Sequence, residues 1–579
     1  MAQDRLGKAA AIFLFVSLSL ATIIAHQSPA TGYELTIYTG TPVGYWVFFG
    51  AVLLVGTILA VWDIQRRLAL SALGIAITTF VLLPVIRGYY MLGQRDSLTH
   101  LGRVRDTLAG SPISEGFLYP NYPIFSAVFV RVTGLPENQV LLLATAALIL
   151  PSLAFIPLLV REIDPSRMTV VASAVIAVGL LPLNPFNVFL WPHPSAQIVF
   201  FAAIPLYAFL RIFRGQGRLT YSVLFGVSLL SVLYFHPQQA LNVFFVTGAM
   251  TVGIFAAKRH SVLPELYRAP VSVFAAVGAF VWLRVTSIPR FEDVFASTIV
   301  TILIAGSSDG HRESGSIFES LEALGVSFEL FALSIVGKYL PLVVPAAVAI
   351  YIGFRTRRRP ELALLAVGGL FVVPFVAYFM VAGNVNQWGR YVAFLALLFC
   401  VFAAVGLGAM YRHLAARKGI PVANIAIAVL LCLSLAASVP VMQPSPLTQQ
   451  GNTQVSNGMY SGYESMINHT DRATPIYDTR SPPDRYVQAI DEVSQDRVRY
   501  ETPDRFNNHN LPGFVERDSY LAINEGDIRQ DVELYDGFRY SEADFEYLSQ
   551  DPDIHKVQDG DVELYQVDSR DDSTPTDEP

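Results

Sequence analysis

Thirteen mostly apolar stretches punctuate residues 1–440, at 9–26, 43–62, 68–87, 138–160, 168–186, 195–212, 220–235, 238–257, 268–285, 328–353, 361–383, 391–410 and 420–440. Each is close to the roughly 20 residues that carry a helix across a bilayer core. The polar breaks between them carry a pattern of their own. Arg66 and Arg67 follow the second stretch, Arg161 and Arg167 the fourth, and Arg211, Arg214 and Arg218 the sixth. Lys258, Arg259 and Arg268 follow the eighth, Arg355, Arg357, Arg358 and Arg359 the tenth, and Arg412, Arg417 and Lys418 the twelfth. Every even-numbered span therefore ends on a basic loop. Basic loops stay cytoplasmic, which predicts an inside N-terminus and an outside C-terminal region. Trp46, Trp62, Trp191, Trp282 and Trp388 fall near span ends, where aromatic belts form. The Tyr-Pro-rich run from Tyr119 is too short to cross and predicts a helix lying on the outer surface.

Beyond residue 440 the apolar runs stop. Residues 441–473 read as a linker, 474–567 as a small α+β domain and 568–579 as a disordered acidic end. Strands are expected at Tyr520–Ile523 and Val562–Val567, and a helix after Ser541 with a Ser-x-x-Asp cap. The predicted fold class is an all-α polytopic membrane bundle of about 13 transmembrane helices, residues 1–440, with an extracytoplasmic α+β C-terminal domain.

Composition sharpens this. Of 579 residues, 53% are hydrophobic and 15% charged, against about 25% charged in soluble domains. A soluble globular enzyme and a disordered scaffold are excluded. The net charge of −7 without a basic stripe excludes nucleic acid as a partner. Charge divides by region: residues 1–440 carry +11 and residues 441–579 carry −18. Only five basic residues are Lys and 35 are Arg. An acidic, Lys-poor exterior suits solubility at high salt, as in a halophile. The two cysteines, Cys400 and Cys432, lie in apolar runs and offer no disulfide framework.

With this topology three outer segments hold the candidate chemistry. In residues 88–122, Asp96, His100 and Arg103 are spaced i, i+4, i+7 and share a helix face, with Asp106 beyond them. Residues 287–327 contain His311 and Arg312, and residues 383–391 end in Arg390-Tyr391. The turns Trp191-Pro-His193-Pro and Phe235-His236-Pro-Gln-Gln239 also face outward, so His100, His193, His236 and His311 gather on one side. A carboxylate beside a membrane can act as a general base or hold a divalent cation such as Mg²⁺ or Mn²⁺; Asp96 and Asp106 are the candidates for the latter. Arginine's planar fork matches phosphate oxygens. Together they suggest chemistry on a lipid-linked phosphate at the outer leaflet. No Walker loop, GxSxG, HExxH or GxGxxG at a strand–helix junction is present to support ATP hydrolysis, serine hydrolysis or zinc proteolysis.

This arrangement resembles the GT-C membrane glycosyltransferases of the oligosaccharyltransferase and protein O-mannosyltransferase type. The resemblance rests on Asp96 in GQRDSLTHLGRVRD, the following LYPNYPIFSAVF, Arg390-Tyr391 in QWGRYVAFLALL, and about a dozen spans followed by an extracytoplasmic domain. It covers most of residues 60–440 and, with the composition, points to an archaeal member. It implies a polyprenyl- or dolichyl-phosphate sugar donor and a glycan, lipid or protein acceptor. Asp96 would then be the catalytic residue that activates the acceptor hydroxyl or helps hold a metal, Arg390 would hold the donor phosphate, and Tyr391, His100, His311 and Arg312 would be further substrate-binding residues. Two departures stand out: three spans precede Asp96 rather than one, and the tail has no WWDxG motif. The competing classes are a transporter or flippase of a lipid-linked glycan, with Lys338 as its main intramembrane charge, and a structural cell-envelope protein.

Overall fold

The computed structural model describes residues 2–111, 120–179, 188–259, 271–286, 336–356, 359–381, 385–471, 473–491 and 508–570, with Ser327, Glu329, Ala332, Leu333 and Phe506. All thirteen predicted spans are helical within them. They are α1 (Ala2–His26), α2 (Val43–Trp62), α3 (Arg66–Val81), α6 (Glu137–Ile163), α7 (Arg167–Gly179), α8 (Pro194–Phe213), α9 (Arg218–Phe235), α10 (Pro237–Arg259), α11 (Val271–Thr286), α12 (Leu340–Arg355), α13 (Pro360–Met380), α14 (Val385–Lys418) and α15 (Ile420–Ser438). Between α3 and α6 lie a two-residue strand β1 (Met91–Leu92), α4 (Asp96–Ala109) and α5 (Asn121–Thr133). Among the described residues nine helices are long and apolar enough to cross a membrane, while α3, α7, α11 and α12 are shorter. The chain is a multi-pass membrane protein. α5, at 13 residues, is the short helix expected after Tyr119.

The 34-residue α14 is the axis of the bundle, packed by α12, α7, α13 and α15. Close approach explains its glycines: a Cβ on Gly406 would lie 1.7 Å from the Pro345 carbonyl of α12. Small residues let membrane helices meet backbone to backbone.

The basic loops meet at one end. Asp164, after α6, receives Arg359 at 2.8 Å and Arg412 at 3.0 Å. Glu162 pairs with Arg211 at 2.8 Å, Glu361 with Arg214 at 2.7 Å, and Asp63 with Arg167 at 2.6 Å. The start of α1 is at this end too, with Gly7 beside Ile64 and Gln65. The charge pattern therefore sorted the two ends of the bundle correctly.

The expectation of a linker over 441–473 does not match what is observed. A 3-10 turn (Pro446–Thr448), strand β2 (Gln454–Val455) and α16 (Asn457–His469) occupy it, with Met459, Tyr463 and Met466 buried. The polar composition misleads because these residues hydrogen-bond to the membrane part rather than to water. β2 pairs antiparallel with β1, Met91 opposite Val455 and Leu92 opposite Gln454. The C-terminal domain that follows is a four-stranded sheet in the order β3 (Ile476–Asp478), β4 (Ser519–Asn524), β6 (Val562–Val567), β5 (Ile554–Gln558). Only the β3–β4 pair is parallel. The expected strands are β4 and β6. The Ser541–Asp544 capping box opens helix α19 (Glu542–Tyr547), with two further helices, α17 (Pro483–Ile490) and α18 (Glu525–Arg529), earlier in the domain.

Candidate functional site

Asp96 opens α4, where the helix N-terminus favours a carboxylate. The approach to it is tightly shaped. Gly93 sits at φ +98°, and a Cβ there would fall 2.1 Å from Ser97 Oγ and 2.7 Å from the Trp191 ring. Ser97 Oγ donates to the Pro192 carbonyl at 2.6 Å, locking the Trp191–Pro194 turn onto α4. That turn ends in His193, whose extended backbone leads into α8 with proline at the first helical position. His193 Nε2 faces Asp96 Oδ2 at 3.6 Å, while its Nδ1 meets Ser195 Oγ at 2.8 Å. On the other side Arg485 Nη2, from α17 of the C-terminal domain, faces Asp96 Oδ1 at 3.6 Å. The His193 imidazole, against the opposing effect of burial and with help from Arg485, holds the Asp96 carboxyl well below the usual carboxylate range. Asp96 is ionised at any ordinary pH.

His100 lies one turn below Asp96 on the predicted shared face, buried edge-on against Tyr122 at 5.0 Å. Burial pushes its pKa down to about 3. It is neutral, so what it offers a substrate is a hydrogen bond rather than a charge. Asp106 is ten residues on, roughly 15 Å along the same axis, so it and Asp96 do not converge on one ion. His311 and Arg312 lie outside the described residues.

A second His-Pro corner turns the chain between α9 and α10. His236 has the same extended backbone and proline follows it. Its ring is buried within electrostatic reach of both His193 and Arg390. Arg390, near the start of α14, lies against Gln238 (Nη1 to Oε1 3.5 Å), and its carbonyl accepts from Gln239 at 3.4 Å. Arg390 Nε is a buried donor with no acceptor, Gln238 reaches the Tyr391 hydroxyl, and among the described residues no carboxylate pairs with Arg390. Buried N–H groups without acceptors are rare in a folded protein and suit an anionic ligand. Tyr391 stacks on Phe375 at 5.5 Å and Phe379 at 5.7 Å, fixing the start of α14.

The structure thus brings Asp96, His193, His236 and Arg390 to the end of the bundle opposite the basic loops. Sequence reading named all four but ranked only Asp96 and Arg390; the repeated His-Pro before an apolar helix was the available signal for the other two. Arg485 was missed, and nothing local marks a residue 389 positions from Asp96. A cavity of about 860 Å³ between α2 and α15 is lined by Trp46, Phe49, Leu53, Leu433 and other apolar residues, none of them from this group.

The C-terminal domain holds the Asp96 loop through a buried polar chain. Gln94 Nε2 donates to the Gln454 carbonyl at 3.0 Å, which turns its Oε1 toward Ser481 Oγ at 3.2 Å. Ser481 Oγ also lies 2.7 Å from Asp527 Oδ1. A hydroxyl has one proton and here meets two acceptors. Its bond to Asp527 is a donation to the carboxyl oxygen and favours the ionised form. Burial outweighs that bond and raises the Asp527 pKa to about 7. The native state then binds this proton more tightly than the unfolded chain, so Asp527 makes stability fall as pH rises from about 4 to about 7. Asp527→Asn should remove that decline, on the order of a few kcal/mol at pH 8. Melting curves at pH 5 and pH 8 check it; an unchanged pH difference in the variant contradicts it.

No family model matches the chain, and no curated protein matches it in sequence. Solved structures do. The chain is similar to the oligosaccharyltransferase of Archaeoglobus fulgidus crystallised with zinc and sulfate, with a TM-score of 0.53 and 14% identity over 86% of this chain and 73% of that one. It is also similar to ArnT of Cupriavidus metallidurans bound to undecaprenyl phosphate, with a TM-score of 0.48 and 13% identity over 87% of this chain and 98% of that one. The chain therefore has the fold of that archaeal oligosaccharyltransferase.

Proposed function

We propose that this protein is a membrane glycosyltransferase that moves a sugar from a dolichyl- or polyprenyl-phosphate donor to an extracytoplasmic glycan, lipid or protein acceptor. The observation that carries the reading is the unmatched buried donor Arg390 Nε at the same end of the bundle as the ionised Asp96. The donor phosphate would lie against Arg390 and Gln238, its isoprenoid chain in the surrounding membrane. The acceptor hydroxyl or amide would approach Asp96. In the transfer step the acceptor atom bonds to the anomeric carbon as the carbon–oxygen bond to phosphate breaks. The acceptor proton passes to Asp96, and the charge that develops on the departing phosphate is met by Arg390. Asp96 is a weak base, so its main contribution is orientation: a fixed acceptor for the incoming O–H or N–H.

The basic-loop end would face the cytoplasm, with the N-terminus inside and the C-terminal domain outside. A dication at Asp96 is poorly provided for. Among the described residues no group of three or more His, Cys, Asp or Glu converges, and the neighbours of Asp96 are an imidazole and a guanidinium.

Mass spectrometry of lipid-linked and protein-linked glycans in a deletion strain tests the function. One sugar should be missing, its lipid-phosphate donor should accumulate, and the wild-type gene should restore both. Normal glycans in the deletion strain, with no second gene of this fold in the genome, would sink the reading.

A further inference from the structure

We propose that Arg485, carried to the site by the C-terminal domain, is a positioning residue that takes the place of a divalent cation on Asp96. The inference rests on Asp96 being the reacting carboxylate. Both carboxylate oxygens are already faced by nitrogen, Oδ2 by His193 Nε2 and Oδ1 by Arg485 Nη2, each at 3.6 Å. The guanidinium is held from two other directions. Its Nη1 donates to Thr99 Oγ1 at 2.9 Å, and its Nε pairs with Asp484 Oδ2 at 3.3 Å. Thr99 in turn donates to Gln488 Oε1 at 2.6 Å. Thr99 is on α4 and Gln488 on α17, so the helix that carries Asp96 also grips the helix that carries Arg485.

A divalent ion needs several lone-pair donors converging at about 2.0–2.6 Å. A guanidinium has no lone pair to give and cannot be deprotonated. Where it stands, it balances the carboxylate charge and repels a dication. Behind it the ingredients of a cation site are present but divided. Asp484 Oδ1 is buried with no partner, and Asp484 and Asp96 feel each other's charge. Without the guanidinium, two carboxylates and the His193 imidazole would border one space. Arg485 therefore fixes Asp96 and also keeps metal out. The C-terminal domain becomes part of the site rather than a separate module.

The test uses the purified full-length protein in detergent, titrated with Mn²⁺ alone, and transfer assays in membranes with and without EDTA. In the wild type EDTA should change transfer less than about two-fold, and Mn²⁺ should not bind at micromolar concentration. Arg485→Ala should lower transfer at least about ten-fold, gain at least about ten-fold in Mn²⁺ affinity, and recover part of its activity with Mn²⁺. Asp96→Asn in that background should abolish the gained binding. Arg485→Lys, which keeps the charge, should stay blind to Mn²⁺ and EDTA. The proposal is overturned if EDTA abolishes wild-type transfer and Mn²⁺ or Mg²⁺ restores it. It is equally overturned if a folded Arg485→Ala protein binds Mn²⁺ no better than wild type. Should Arg485→Ala fail to fold, micromolar Mn²⁺ binding by wild type or Arg485→Lys overturns it. The titration needs no sugar substrate. A wild type that transfers nothing sinks the proposed function, whereas Mn²⁺ affinity decides the role of Arg485.

Discussion

Asp96→Asn should lower sugar transfer by a factor of about 10²–10⁴, the usual worth of a positioned acid–base group, while leaving the protein in the membrane at normal abundance. The substitution keeps size and one carbonyl oxygen. It removes the charge that faces His193 and Arg485 and the atom that would receive the acceptor's proton. Folding should change little, because the Asp96 side chain is half exposed and its two ion-pair distances are long, and exposed pairs contribute about 0–1 kcal/mol. A large kinetic effect with a small stability effect separates a reacting carboxylate from a solvated loop acid. The measurement is glycan mass spectrometry of the complemented deletion strain, alongside quantification of the membrane-inserted protein. Wild-type glycans from Asp96→Asn at equal abundance would remove Asp96 from the mechanism.

Arg87→Ala should be the most destabilising single change, at about 3–5 kcal/mol, the cost of removing one member of a buried ion pair. Arg87 is 2% exposed. Its guanidinium grips both oxygens of Glu34, donates from Nε to the Ser28 carbonyl at 3.1 Å, and Tyr89 OH completes the Glu34 partners. The same loop is bonded to the C-terminal region. Tyr33 OH donates to the Asn452 carbonyl at 2.8 Å, the Glu34 amide to Gln454 Oε1 at 2.8 Å, and Arg529 to the Tyr33 carbonyl at 2.7 Å. Alanine would leave Glu34 charged and half-satisfied at the joint between the first two helices, β2 and the C-terminal domain. Arg87→Lys should recover only part of the loss, because an ammonium cannot engage both oxygens in one plane. Thermal unfolding in detergent measures it; a loss under about 1 kcal/mol would show that the joint is held elsewhere.

The transporter reading drew on Lys338 as an intramembrane charge. Lys338 is fully buried in the turn that precedes α12, over the Tyr339 ring at 5.2 Å. A buried amine so placed is accommodated by the bundle, and no second intramembrane charge accompanies it among the described spans to form a relay.

The positions of the spans were legible because the bilayer imposes a length and an apolar composition on every crossing segment, independent of what it packs against. The two ends of the bundle were legible because Arg359, Arg412 and the other loop arginines are placed by a rule about charge, not about contacts. Asp96 and Arg390 could be singled out as polar residues at span ends. The role of residues 441–473 could not, since Gln454 and Asn452 look like linker residues until their partners, Glu34 and Tyr33, are in view. His100 has an ordinary imidazole in the sequence; burial against Tyr122 makes it neutral. Arg485 gains its place only when α17 docks on α4, and the Asp527 pKa rises only because the fold buries its carboxyl, against the opposing hydrogen bond from Ser481. The sequence by itself determined the membrane-spanning pattern and which loops gather at one end of the bundle, because local composition pays for burial in lipid. Tertiary structure alone decided which charges oppose Asp96, because electrostatic partnership depends on distances that separations of hundreds of residues do not encode.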